Sequence, residues 1–308
     1  MTAIVFGAKN KNKIKTSVSR KIFVVCNAVF LALFTFLCVA PMIHLLAVSL
    51  STDRYAVAGM VSFWPRGFTT AAYAFMTGQS AFFDALSISL RRVGLGTAIN
   101  MALVVLVAYP LSKEVEVFRF RTFYAWFFVF TTLFGGGLIP TFMVISRLGL
   151  MNTIWALVLP GAVSVWNAIL LLNFFRGIPK ELEEAARIDG AGHLITMIKI
   201  YLPLSLPSLA TILLFTVVGH WNAWFDGMIY MTHPANYPLN TYLALLVMEA
   251  GMATRNLMTV EDIMLLQYVS DTTVRIAQIF MAALPIMMVY PFLQRFFIKG
   301  IVVGSVKG

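Results

Sequence analysis

Residues 22–50 read IFVVCNAVFLALFTFLCVAPMIHLLAVSL, and that long apolar run decides the fold class. A helix needs roughly 20 apolar residues to cross about 30 Å of hydrocarbon. Comparable runs lie at Leu86 to Pro110, Thr122 to Ser146, Ile154 to Phe175, Leu204 to Phe225 and Val274 to Phe296. The expectation is an all-α membrane protein with six transmembrane helices. They form one domain, residues 22–298, preceded by a basic segment 1–21 and followed by a tail 299–308. No Ser-rich, Pro-rich or charge-rich linker and no fixed short repeat divides the chain.

Composition agrees. Of 308 residues 60% are hydrophobic and 12% charged, with 26 Phe and 17 Met, far from the balance of a soluble domain. The basic start followed by an apolar run has the outline of a secretory signal, but the run is about twice the usual core length and lacks a small-residue cleavage site. It reads instead as an uncleaved first helix. Cys26 and Cys38 both fall within it, about a third of a turn apart in angle, and cannot bridge one another.

Orientation follows from the basic residues. Lys9, Lys11, Lys13, Lys15, Arg20 and Lys21 precede the first run. Lys113, Arg119 and Arg121 follow the second, Arg176, Lys180, Arg187 and Lys199 follow the fourth, and Arg295, Lys299 and Lys307 close the chain. Arg54, Arg66, Arg91, Arg92, Arg147, Arg255 and Arg275 form the smaller, outward set. Both termini are therefore expected in the cytoplasm. The net charge of +10 is spread along the inner rims of the spans, with no folded basic face for a nucleic acid.

Enzymatic signatures are missing. There is no Gly-x-x-x-x-Gly-Lys phosphate loop, no His-Glu-x-x-His and no paired-cysteine motif. Gly135-Gly136-Gly137 lacks the lysine and reads as a break in the third helix, and His44, His193, His220 and His233 are dispersed. No catalytic residue, metal site or bound cofactor is expected, so if ATP powers this protein another chain must bind it.

Between the fourth and fifth runs, residues 178–203 form a charged loop. It reads Glu184-Ala185-Ala186, three residues, Gly190, nine residues, Ile200, one residue, Leu202-Pro203. Pro179 suits a first helical turn, Glu181, Glu183 and Glu184 favour its positive end, and Gly190 suits a left-handed stop. Glu183, Glu184, Arg187 and Asp189 keep the segment in water, while Ala185 and Ala186 admit a partner's backbone closely. A second short helix is expected over His193 to Ile200, and Pro203 and Pro207 mark the start of the fifth span.

This pattern resembles the cytoplasmic coupling loop of permease subunits in binding-protein-dependent ABC importers, every fixed position of that motif being matched. The resemblance covers nearly the whole chain. It includes Phe134-Gly135-Gly136-Gly137-Leu138-Ile139-Pro140-Thr141, Leu148-Gly149-Leu150-Met151-Asn152-Thr153 and the tail from Gln294 to Gly308. It points to carbohydrate importers, and more narrowly to permeases of the alginate, aldouronate and pectin-fragment type. In that family the loop seats in a cleft of the ATPase, with Glu184 at the position facing it. The family implies a second homologous permease, two ATPase subunits carrying ATP and Mg, an extracytoplasmic solute-binding protein and an oligosaccharide substrate. It also implies a multi-pass place among the lipids of a bacterial cytoplasmic (inner) membrane. The tail resembles that of the smaller maltose permease, so Gly304, Ser305, Val306, Lys307 and Gly308 either touch the nucleotide-site interface or fray.

A sugar path presents aromatic faces and amides, because pyranose rings join an apolar face to hydroxyls. Trp166, Asn167 and Asn173 in the fourth run and Trp221, Asn222 and Trp224 in the fifth are the candidates. Interfacial anchoring is the other reading of the tryptophans. The segment 227–273 reads as a long outward loop that either grips the binding protein or caps the helix ends. Two other classes stay open: a channel or membrane scaffold accounts for the spans but not for the motif. A peptide or polyamine cargo calls for more acidic residues inside the spans than Asp226.

Overall fold

The computed structural model describes residues 17–78, 80–253 and 272–305, and every regular element among them is a helix. Ser17 accepts a hydrogen bond from the Arg20 N–H and starts α1, Val18–Ser49. Only the last turn of α1 is buried, where Ala47 and Val48 meet Val61, Ala56 of α2 (Asp53–Val57) and Ile276 of the final helix. The rest faces outward, as an apolar helix does in lipid or against another membrane chain. Cys26 and Cys38 are exposed and unbridged on it.

The axis of the body is α4, Ser80–Ser112. Phe82, Ala85, Ser89, Arg92, Gly96, Asn100, Val104 and Ala108 recur every three or four positions, so one face of the helix is buried throughout. Against it pack α8 (Val165–Arg176), α12 (Leu206–Asn222) and α14 (Leu239–Ala253). At the Ser112 end a cluster of Val104, Ala108, Leu171, Phe175 and Ile212 closes the bundle. At the Ser80 end Phe82 and Ala85 pack with Met76, Trp221, Leu239, Leu243 and Ala282. Hydrocarbon offers no hydrophobic drive between helices, so polar ties count. Asn167 Nδ2 donates to Thr216 Oγ1 (3.3 Å), which donates to Asn100 Oδ1 (3.1 Å), joining α8, α12 and α4.

Two expected spans depart from single rods. Thr122 to Ser146 is α5 (Arg121–Leu133) and α6 (Leu138–Arg147), bent by 110°. The break falls at Gly135-Gly136-Gly137, where Gly137 adopts φ 79° and three poor helix formers let the chain turn. Ile154 to Phe175 is α7 (Ile154–Val158) and α8, interrupted where Pro160 lacks an N–H and Gly161 follows it. The fifth begins at α12, 83° from the preceding His193–Leu204 helix. Three described helices are long and apolar enough to cross a membrane, or five if each bent pair is one span.

Segment 227–273 is not one open loop. It contains α13 (Phe225–Tyr230, begun just before it) and the apolar α14, which packs on the Ser80 half of α4 and on the last helix, α15 (Thr272–Ser305). The sequence reading did not foresee α14, which is shorter than a span and carries no strong start signal. Residues 254–271, holding Arg255, Glu261, Asp262 and Asp271, lie outside the described residues. The turn 148–153 is pinned by Asn152, at φ 60°. Its side-chain oxygen accepts from the Thr232 N–H (2.6 Å), and its backbone N–H donates to Tyr230 O (3.0 Å).

Candidate functional site

At the Ser112 end of the bundle the motif folds as the sequence suggests. Helix α9 spans Lys180–Ile188, with Pro179 before it and Glu181 and Glu183 in its first turn. Asp189 caps it and Gly190 stands at φ 79°, so that the Gly190 N–H reaches Arg187 O (3.0 Å) and the Ala191 N–H reaches Ala186 O (2.9 Å). That pair of bonds is the left-handed helix stop glycine permits. A Cβ on Gly190 meets nothing within 4 Å, so only backbone strain opposes a side chain there. Gly190→Ala is expected to cost about 1–2 kcal/mol, raising proteolytic cleavage between α9 and the next helix roughly tenfold. Gly190→Asn, which tolerates that conformation, should leave cleavage near the wild-type rate.

The return arm is α10 (His193–Thr196), a π-helical turn over Met197–Tyr201 and α11 (Leu202–Leu204). Ile200 and Leu202 pack against the cluster around Phe175, and Pro203 is exposed. Glu184 and Ala185 face solvent, whereas Ala186 is buried. The same hairpin exposes the apolar side chains Leu182, Ile188, Leu194, Ile195 and Ile198, of which Ile188 is 87% exposed. A hairpin that presents an acidic group and several exposed apolar side chains is a surface suited to a protein partner.

What holds that surface rigid was not legible in the motif. Glu183, one residue before Glu184, turns inward and accepts hydrogen bonds at Oε2 from Lys113 Nζ (2.7 Å) and the Tyr201 hydroxyl (2.6 Å). Its Oε1 accepts from Arg187 Nη2 (2.9 Å). Lys113 is 6% exposed, lying 4.1 Å from the Tyr109 ring centre and 3.9 Å from that of Tyr201. Burial pushes the Glu183 carboxyl up, but hydrogen bonds from Lys113 and Tyr201 and the Lys113 and Arg187 charges outweigh it, leaving it below the ordinary carboxylate value. Burial lowers the Lys113 ammonium, with Glu183 offsetting part of the effect. Lys180 pairs with Glu114 at the rim. Available signals were a lysine closing an apolar run and a tyrosine at the free position between Ile200 and Leu202.

The six sugar-path candidates fall in different places. Asn167 lines a cavity of about 350 Å³ with Arg92, Asn100, Thr216, His220 and Asp226, and apolar residues such as Leu157 and Phe215 complete its wall. Trp221, Asn222 and Trp224 line a separate, largely apolar cavity of about 690 Å³ beside α14. Within it Trp221 is buried and donates its Nε1–H to Ala282 O (3.1 Å), a packing role. Trp166 and Asn173 are exposed on α8. Gly304 and Ser305 end α15, while Val306, Lys307 and Gly308 lie outside the described residues. Arg92, expected near the outer face, is 3% exposed inside the bundle and grips Asp226 with both guanidinium nitrogens. Among the described residues no group of three His, Cys, Asp or Glu side chains is placed to hold a metal ion.

Membrane-length helices, a cavity holding Arg92, Asn100, Asn167 and Asp226, and a braced, solvated hairpin at one end of the described, all-helical body fit a membrane transport subunit. No family model matches the chain. It is 38% identical over 280 residues to the polygalacturonan/rhamnogalacturonan transport system permease protein YtcP of Bacillus subtilis, covering 91% of this chain and 96% of that one. A crystal structure of a bacterial ABC transporter involved in the import of the acidic polysaccharide alginate contains a chain that superposes at TM-score 0.79. That chain is 30% identical, with 92% of this chain and 99% of that one covered. The structure of the alginate transporter bound to an alginate pentasaccharide-loaded periplasmic protein matches at TM-score 0.56 and 15% identity, with 89% and 93% covered, a likeness of fold. The chain belongs to the permease subunits of ABC transporters.

Proposed function

We propose that this chain is one permease of an importer that receives an oligosaccharide from an extracytoplasmic binding protein and passes it into the cytoplasm. ATP is hydrolysed by partner ATPase subunits, and a second permease completes the path. In this reading α1, α4, α5 with α6, α7 with α8, α12 and α15 make the six crossings, and the 178–203 hairpin and both termini face the cytoplasm of a bacterial inner membrane. The observation that carries it is the hairpin, with Glu184 and Ala185 presented outward while Glu183, Lys113 and Tyr201 clamp its base to the bundle. A rigid handle lets closure of the motor bias the two access states of the bundle.

The relative that handles polygalacturonan and the alginate importer support a sugar cargo. A polyamine finds little here: Asp226 is the carboxylate lining the Asn167 cavity among the described residues, and Arg92 neutralises it. The contour of α15, 34 residues and so about 51 Å, exceeds about 30 Å of hydrocarbon. Because α15 begins beside α3 (Ala71–Thr77), at the end remote from the hairpin, its length supports a tail that reaches the ATPases. Deleting the chain is expected to abolish uptake of at least one member of a panel of labelled oligosaccharides, and plasmid-borne wild type to restore it. Undiminished uptake of the whole panel in the deletion strain would overturn the reading.

A further inference from the structure

Resting on the import reading, the geometry points to Arg92 as a recognition site for a sugar carboxylate inside the bundle, with Asp226 as its resident occupant between substrates. A buried guanidinium in a membrane helix is costly and, where it lines a cavity, marks a path for solute. Arg92 lines the cavity of about 350 Å³, a size within the small-ligand range, among amide and hydroxyl groups from Asn100, Ser164, Asn167 and Thr216. The guanidinium fork suits a carboxylate, which it binds in bidentate fashion.

The pair is built unequally. Arg92 is 3% exposed and its Nε–H has no partner, although Nη1 also donates to Ala223 O (3.1 Å). Asp226 is 28% exposed toward the cavity, and its Oδ1 also accepts the Gly227 N–H (2.9 Å). Asp226 therefore keeps a hydrogen bond when another carboxylate takes its place on the Arg92 Nη1 and Nη2 donors. The exchange adds one negative charge to the site, which the 28% exposed Asp226 carboxylate carries on the open side of the cavity with the Gly227 N–H as its remaining donor.

The test is equilibrium binding of a galacturonate tetrasaccharide and its fully methyl-esterified counterpart to the detergent-purified permease–ATPase complex without binding protein. Wild type should bind the acid more tightly than the ester. Arg92→Gln should weaken the acid about tenfold and leave the ester unchanged, as loss of a charge-assisted pair predicts. Asp226→Asn should tighten the acid several-fold, because the internal competitor is gone. Equal affinity of wild type for acid and ester overturns the inference, as does parallel loss of binding in both variants, the signature of a merely structural ion pair. Uptake in the deletion strain reports the import reading separately, so either can fail alone.

Discussion

Glu184→Lys is expected to strip the ATPase subunits from this chain while leaving its membrane insertion intact. Glu184 is exposed on α9, bonded to none of the groups that fix the hairpin, so reversing its charge leaves the fold undisturbed. A partner surface shaped for a carboxylate would instead meet an ammonium, a mismatch of about 2–5 kcal/mol and hence a loss of roughly 30-fold or more in affinity. Affinity purification of the tagged variant should recover it without ATPase, and labelled-sugar uptake should fall to the level of the deletion strain. Normal co-purification together with normal uptake would remove the hairpin from the docking role.

Lys113→Met is expected to free α9 from the bundle. The substitution leaves the Glu183 carboxylate 13% exposed with its closest buried cation gone. Breaking a buried pair from one side costs about 3–5 kcal/mol, much of it the stranded charge. Amide hydrogen exchange across 180–190 should therefore accelerate about a hundredfold or more in detergent. Adding Glu183→Gln to Lys113→Met should restore part of the protection, since the amide carries no stranded charge and its oxygen still accepts from Tyr201. Lys113→Met alone should also lower uptake without releasing the ATPase, because a loose handle still binds but transmits less. Unchanged exchange in the single variant would show that apolar packing of Ala186, Met197 and Tyr201 fixes the hairpin by itself.

These two effects separate what was readable before folding from what was not. Glu184, Ala185 and Gly190 were legible because their roles are local: exposure on a short charged helix and a left-handed stop depend on residues within one or two turns. The same holds for the broken third run, since Gly135-Gly136-Gly137 carries its own weakness as helix. The apolar α14 was missed because its 15 residues fall short of a span, and its helicity rests on packing against Phe82 and Ala282. Trp221 was set among sugar contacts because an indole near a span end looks the same whether it faces a solute or a neighbouring carbonyl.

By itself the sequence determined the all-helical class, the position of most apolar helices and the hairpin with its exposed acidic residue. Run length, periodicity and motif spacing are properties of neighbouring residues. Only the tertiary structure decided that Lys113 closes on Glu183 across 70 positions and Arg92 on Asp226 across 134. Such pairs form where helices cross, and crossing is settled by how side chains from distant segments interlock, which no local pattern encodes.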